Sequence, residues 1–584
     1  NINTVRGQES DYCTWNPNDN ISVGLSDGNL RCTDSSVYYR TVFGTHTSVD
    51  GKHYFEVTVT ALTTTMGVGV YVGNNRNGID GNNYAYDANT YIVMKNGSIY
   101  HDGSTYSYQS SYGAGDTVGV AIDSENRKAW VIVNGILAPG DNPATGTGGM
   151  QSISGVGAMP DGEIYPTIMI RSATTEANFG QKPFKFPPPD GFQPLNTANT
   201  RLETVTSRPD QFVGVTTYRG NSGTQHINVG MSPDLVWIKE RAGSKDHNVY
   251  DTVRGVTKEL FPNGNGIENT LTSGLTSFNS NGYTFSTADR ANGSGRTYVN
   301  WFWKAGGPKF GGQGANEFWV DGKNYASAAA AGLDDGDITP SAASVGTKQG
   351  FSIIKWTGVD NGSPKTISHG LTNQTPRFVI VKNLTDAENW AVYHASIGPT
   401  KYVRLNGNSS YDTSSAYWNN TAPTTTLITL NNSNEVQRVN RDYVLYAWAD
   451  VPGLQKFGSY RCNGDGSGGG NENGPFVELG FRPALILFRG DYTSDWAWID
   501  EERCKVNYND VALRANYQYG EIGNARGGDG SSSQPENYAV DLLSNGFKIR
   551  ASGGSLNSGT NTVTYAAWAK SPFSGLYGGD ANAR

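Results

Sequence analysis

The sequence predicts an all-β chain, a β-sandwich followed by three related β-sandwich modules, and three observations carry that prediction. Of the 584 residues, 11% are aromatic, only 17% are charged, and 74 are glycine. Tyr, Trp, Val and Thr fit a pleated surface, while Gly and Asn tolerate the backbone of tight turns. A disordered chain is poorer in aromatics and richer in charge. The second observation is period-two alternation in short runs, as in His53-Tyr-Phe-Glu-Val-Thr-Val-Thr60, bounded by turn residues.

The third observation is a repeat. Pro233-Asp-Leu-Val-Trp-Ile-Lys239 returns as Pro376-Arg-Phe-Val-Ile-Val-Lys382 and again as Pro483-Ala-Leu-Ile-Leu-Phe-Arg489. A second strand follows at constant distance: Tyr250 lies 17 residues after Pro233, Tyr393 lies 17 after Pro376, and Ile499 lies 16 after Pro483. Each copy closes on an aromatic strand, Tyr298-Val-Asn-Trp-Phe-Trp303, Tyr443-Val-Leu-Tyr-Ala-Trp448 or Tyr565-Ala-Ala-Trp568. A tandem array points to an architectural or binding role before a one-site enzyme.

Taken in order, residues 1–186 form the first sandwich behind a short N-terminal arm. His53–Thr60 and Met66-Gly-Val-Gly-Val-Tyr-Val72 read as two strands, the glycines allowing close approach. Tyr91–Lys95 and Ile99-Tyr100 read as a hairpin around Asn96-Gly97. Gly115–Asp123 pairs with Lys128–Val133, and Ile164–Ile170 and Asn178-Phe179-Gly180 complete the set. Residues 187–206 are a linker, since Pro187-Pro-Pro189 stiffens the chain and cannot donate to a ladder. Module one spans 207–306. A Gly/Ala-rich insert, 307–346, carries the single predicted helix, Tyr325–Gly332, alanine-rich with a terminating glycine. Module two spans 347–452, and module three with the tail spans 453–584.

Chemistry-bearing patterns are sparse. The net charge is −8 and no basic stripe appears, which argues against nucleic acid. No apolar run approaches the roughly 18 residues a membrane span needs. Four cysteines are too few for a disulfide scaffold, and no Cys/His spacing suggests zinc. No catalytic residue, metal or cofactor is expected. Glu501-Glu502 and Asp334-Asp335 are adjacent on the chain, so on a strand they point apart and do not share a cleft. Asp334-Asp335-Gly336-Asp337 reads as a structural turn. The repeated cation, Lys239, Lys382 or Arg489, is expected to reach solvent or to pair with a carboxylate such as Glu240 or Asp386. His394 and the strand-end aromatics Trp301, Trp303, Tyr446, Trp448 and Trp568 read as packed. The candidate ligand surface is Tyr84, Tyr86, Tyr106, Tyr108 and Tyr112, in polar, glycine-bearing loops of the first sandwich. Tyrosine offers large contact area with little entropy to lose.

Two resemblances add to this reading. The Tyr-Phe-Glu-Val strand, the Gly-Val-Gly-Val strand and Gly-Asp-Thr-Val-Gly-Val resemble the SPRY domain. So do Tyr165-Pro166, Asn178-Phe-Gly180 and the Asn134-Gly135 turn after the Trp130 strand. That family implies a concanavalin-like sandwich whose loops bind peptides or other ligands, without catalysis. The whole chain resembles bacteriophage proteins in which such a sandwich precedes repeated β modules. Pro233–Arg241, Gly346–Ile354, Asn389–His394 and Gly480-Phe-Arg-Pro483 carry the likeness. It implies a non-enzymatic virion appendage, a tail fibre or receptor-binding protein, located on the extracellular particle. Its implied partners are other virion proteins and a host cell-surface glycan or protein, in a homo-oligomer taken as a trimer by analogy. A purely structural virion part (capsid decoration or fibre shaft) and a glycan-cleaving tailspike stand as alternatives.

Overall fold

The computed structural model describes residues 12–20, 23–48, 51–73, 88–160, 162–196, 199, 206, 208–307, 317–359, 362–464, 473–522, 538–551 and 554–572. It is almost wholly β and divides into two compact units, the first running to residue 204 and the second from residue 205.

In the first unit the two strands expected at His53–Thr60 and Met66–Val72 are one, Lys52–Val72. Its first half pairs with Thr117–Asp123 and its second half with Thr90–Met94, while Ile164–Asn178 runs antiparallel along its length. The join lies where the pairing slips by a residue, opposite Ser172 at φ 48. Such a bulge bends a strand without ending it, so one strand serves both layers of the sandwich. Val57, Val68, Val70, Val93, Val120 and Ile168 alternate into the core between the layers. On the opposite face Tyr71, Tyr165, Ile92, Met94, Phe43 and Met169 form a second, smaller cluster. Gly67 is required there, because a Cβ would lie 2.4 Å from the Ile92 side chain and 2.5 Å from the Met94 sulfur. The Asn96-Gly97 hairpin forms as expected, with Gly97 at φ 83. All four cysteines are buried and none is in a disulfide.

Each module of the second unit is a two-layer sandwich. The inner sheets centre on the closing strands Thr297–Trp303, Asp442–Ala449 and Thr562–Pro572. Smaller outer sheets cover them. Alternation along each closing strand serves two cores at once. Tyr298 and Phe302 face module one's own core, while Val299, Trp301 and Trp303 face a core shared by all three modules. Tyr443, Leu445 and Ala447 of module two divide from Val444, Tyr446 and Trp448 in the same way. In module three, Tyr565 and Ala567 face one side, and Ala566 and Trp568 the other.

The three modules therefore surround a common centre. Trp303, Trp448 and Trp568 form a triangle with ring centroids 6.0, 5.3 and 6.0 Å apart and interplanar angles of 65–72°. Equivalent hydrogen bonds recur around it. Asn263, Asn406 and Asn516 each donate to Oδ1 of Asp246, Asn389 and Asp495 at 2.8–2.9 Å, and each accepts from the main-chain N–H of His247, Trp390 and Trp496. The side chains of those last three residues then cross to a neighbouring module. Trp390 Nε1 donates to Phe261 O at 3.1 Å, Trp496 Nε1 to Arg404 O at 2.9 Å, and His247 Nε2 to Arg514 O at 3.0 Å.

The insert is part of module two. Ala342–Gly346 pairs with Phe351–Thr357, and Phe318–Val320 adds parallel to it. The helix expected at Tyr325–Gly332 is not formed. The chain makes turns, with Ala331 N donating to Ser327 O and Leu333 N to Ala328 O, which bury Ala328 and Leu333 in module two's core. An isolated helix of so few residues lacks the hydrogen bonds to offset its nucleation.

Candidate functional site

The strand Ser104–Ser107 ends one sheet of the first unit. It pairs with Ser98–His101 on one side, and among the described residues no strand pairs with its other side. An unpaired edge offers main-chain donors and acceptors to another chain. Ser104, Thr105 and Ser107 are exposed, and Tyr106 is half-buried. The Tyr106 ring lies against Gly155, where a Cβ would come within 2.5 Å of it. Beyond the strand, Tyr108 donates to Asp141 Oδ2 at 2.5 Å, and Asp141 Oδ1 accepts from Gly149 N at 2.8 Å. Burial, followed by the nearby Asp141 charge, pushes the Tyr108 hydroxyl well above its ordinary pKa, so it remains a donor. Gln109 Nε2 donates to Val131 O at 3.2 Å and Ile136 O at 3.0 Å, tying the 66%-exposed Ile136 to the segment that follows the strand. Two loops and an edge strand are thus fixed into one surface before any ligand arrives.

Tyr106 lies on this strand and Tyr108 just after it, both partly buried against the core between the layers. Tyr112 stands in the core instead, 5% exposed with its hydroxyl donating to Val93 O at 2.8 Å, because the apolar interior between the layers takes its ring. Tyr84 and Tyr86 lie outside the described residues. A second exposed apolar pair, Val37 and Tyr38, escaped the sequence reading. Its turn is set by Asp34 Oδ2, which accepts from Ser36 N, Ser36 Oγ and Ser172 N, each at 3.1 Å. Asp34-Ser-Ser36 ahead of Val-Tyr was the available signal, since Asp and Ser favour such side-chain-bonded turns.

In the second unit the repeated cations are fully buried, correcting the expectation that they reach solvent. Lys239 Nζ donates to Glu240 O and Gly243 O at 2.6 and 2.9 Å, and Lys382 Nζ to Asn383 O at 2.6 Å. Arg489 Nη1 donates to Ser494 Oγ at 2.6 Å and also to Ser494 O. Each holds the turn after its own strand, where main-chain carbonyls lack ladder partners. Burial lowers Lys382 to about 8. Asp337 is occupied in its turn, accepting from Thr366 N and Oγ1 at 2.9 Å. Among the described residues no group of three His, Cys, Asp or Glu is placed to hold a metal ion.

An all-β chain with a two-layer first sandwich and a triplicated body matches two known families. Residues 52–182 match the SPRY domain, and residues 208–316 and 314–572 match a domain of unknown function, DUF7483. The second match covers more than half of the chain, which belongs to the DUF7483 family and carries an N-terminal SPRY domain. It is 29% identical over 195 residues to the Ran-binding proteins 9/10 homolog of Drosophila melanogaster, across 30% of this chain and 18% of that relative's length. Similar solved structures include the SPRY domain of human HERC1 (16% identity, TM-score 0.24, 29% of this chain and 99% of that one). Another is the TRIM65 PSpry domain (14% identity, TM-score 0.22, 30% of this chain and 95% of that one). The fly match overturns the expectation of a virion appendage. The curated relative is an animal protein named for binding Ran, not a particle component. The virion location, the virion and host-glycan partners, and the analogical trimer rested on the phage resemblance and fall with it. The threefold arrangement found lies within one chain.

Proposed function

We propose that the chain is a non-enzymatic protein-interaction scaffold. Its SPRY sandwich holds a segment of a partner polypeptide, and the triplicated body is a rigid carrier. The observation that carries this reading is the pre-organised surface of Ser104–Ser107, Tyr106, Tyr108 and Ile136. An extended partner segment gains main-chain hydrogen bonds along the open edge, and flanking side chains give selectivity. Fixing Tyr108 and Gln109 in advance lowers the ordering cost of binding. Ran, the partner in the fly relative's name, is the first protein to try.

Selection of displayed extended peptides against the whole chain, with purified Ran measured in parallel, tests the proposal. The expected binders lose about tenfold or more in affinity against Tyr106→Ala and Ile136→Asp, a loss of about 1.4 kcal/mol. Failure to select any peptide together with no binding of Ran, or binders indifferent to both substitutions, overturns it.

A further inference from the structure

The three modules meet at three junctions, and the one between modules three and one holds a cleft. Val213, Phe351 and Gln455 are equivalent, each pairing with the central tryptophan of its own module, Trp303, Trp448 or Trp568. Between modules one and two the equivalent residues are Phe351-Ser-Ile353, Asp234 and Thr252. There the Asp234 carboxylate is filled by Ala305 N at 2.9 Å, Thr252 Oγ1 at 2.8 Å and Ser344 Oγ at 3.1 Å. Between modules two and three, Gln455 Nε2 donates to Gln349 O, Gly350 O and Ala449 O at 2.7–3.0 Å. Asp450 accepts from Phe457 N at 2.8 Å, with Arg377 3.4 Å away.

Between modules three and one, which no linker joins, each wall carries smaller residues at key positions. Val213-Gly-Val215 stands where the other junctions have Phe-Ser-Ile and Gln-Lys-Phe, and Ala484 replaces Asp234 and Arg377. A cleft of about 130 Å³ results, walled by Val213, Val215, Val229, Phe302, Ala484 and Ala569. Glu501 lines it, at the position held by Thr252 and Ala395 elsewhere. Its side chain is 4% exposed, with Lys570 Nζ at 2.8 Å and Arg482 Nη2 at 3.6 Å. Lys570 is 51% exposed. Asp210, also lining the cleft, is paired with Arg208 at 2.7 Å in solvent.

We propose that this cleft binds a primary ammonium on a short aliphatic stem, the chemistry of a lysine side chain or a simple alkylamine. The ammonium replaces Lys570 at Glu501 while the stem lies on Val213, Val215 and Ala569. A buried carboxylate demands a cationic partner, and the half-exposed Lys570 can swing out to water while Arg482 stays 3.6 Å from Glu501. The volume suits a stem of about five carbons, near the size of cavities that hold benzene. This site belongs to the triplicated body and does not depend on the reading of the SPRY edge.

Saturation-transfer NMR on the whole chain with pentylamine, pentanol and Nα-acetyl-lysine amide tests it. Pentylamine is expected to bind near about 1 mM, and pentanol about tenfold more weakly. Glu501→Gln is expected to remove the preference for the amine, and Lys570→Ala to tighten amine binding. Val213→Phe, which installs module two's residue, is expected to abolish binding with the melting temperature unchanged. If Glu501→Gln does not fold, Val213→Phe and the amine–alcohol comparison still decide. Binding of the lysine amide identifies a peptide lysine as ligand, and binding of pentylamine alone identifies a free amine. Equal binding of pentanol, no binding of any probe, or binding unaffected by Val213→Phe overturns the proposal.

Discussion

Two of the module junctions are ionic at their centre and the third is neutral. Asp251 holds Arg254 at 2.5 Å, both fully buried, and accepts from Tyr446 of module two at 2.7 Å. Asp500 holds Arg503 at 2.6 Å, again both buried, and accepts from Trp301 of module one at 3.0 Å. At the equivalent place in module two stand His394 and Ile397, and module three offers Ala566 where the others present Tyr446 or Trp301. With no side-chain donor opposite, a carboxylate there would lack a cross-module partner. A neutral imidazole donates instead, His394 Nε2 to Tyr565 O at 3.1 Å, while Nδ1 accepts from Ser396 N at 3.2 Å. Three residues differ together, and each difference makes sense only with the others. Internal repeats thus reveal coupled positions within one chain.

The largest effect should come from breaking an ionic junction. Asp500→Ala leaves the buried Arg503 with only Glu521, 3.8 Å away, as a carboxylate partner, and removing one partner of a buried pair typically costs about 3–5 kcal/mol. Denaturant unfolding should register that loss, and Asp251→Ala should match it. His394→Ala, which strands no charge, should cost less than either. Equal costs at all three positions would remove the distinction between the junctions.

Conversion is the sharper test. His394→Asp alone buries a carboxylate beside Ile397 and Ala566, and should cost about 3 kcal/mol or more, within the range for an unpaired buried charge. Adding Ile397→Arg and Ala566→Tyr rebuilds the set found at Asp251, Arg254 and Tyr446, and should recover at least half of that loss. A cycle over the three substitutions measures the coupling. Additive costs would show that the positions are independent.

Acid should act first at buried imidazoles, His394 in place of a carboxylate and His247 in place of the tryptophans Trp390 and Trp496. Burial, opposed in part by the bond to Tyr565 O, lowers His394 to about 4, and burial with Lys239 and Arg503 nearby holds His247 well below its usual value. His247 Nδ1 accepts from Trp237 Nε1 at 2.9 Å, so protonation breaks that bond as it breaks His394's bond from Ser396. Both rings are neutral when folded, whereas the unfolded chain takes up protons near pH 6.5. Their contribution is therefore complete above that pH and falls as the pH drops from about 6.5 toward 4. For His394 the loss is about 3 kcal/mol at the acid end. Unfolding midpoints between pH 7 and 4 should show this slope, and His394→Asn should flatten it; an unchanged slope would assign the acid sensitivity elsewhere.

Much of this architecture was legible in the sequence. Asn96-Gly97 and the triplicated proline strands gave hairpins and modules because turn chemistry and repetition are local. The shared core was less visible, yet it had a signal. Thr297–Trp303 carries apolar side chains on both faces, Tyr298 and Phe302 on one and Val299, Trp301 and Trp303 on the other, as strands covered on both sides do. The buried cations were misjudged because a lysine after five apolar residues resembles a strand end at water. Only the fold shows that its turn supplies carbonyls in the interior. Tyr112 shows the same limit: loop composition marks tyrosines for a surface, and packing decides which of them lie beneath it.

The smallest expected effect isolates a single hydrogen bond. Tyr446→Phe removes the hydroxyl that reaches Asp251 Oδ2 across the junction and leaves the ring, a change of one atom in a packed core. Asp251 keeps Arg254 and the main-chain donors Val253 N and Arg254 N, at 3.1 and 2.8 Å, so no charge is stranded. The cost should therefore be about 1.5–3 kcal/mol, the range for a bond to a charged group, and below that of Asp251→Ala. If the hydroxyl joins modules one and two, the loss should appear in unfolding of the whole body as one transition. A separate early transition of module two alone would show that the three modules, despite their common core, do not fold as one unit.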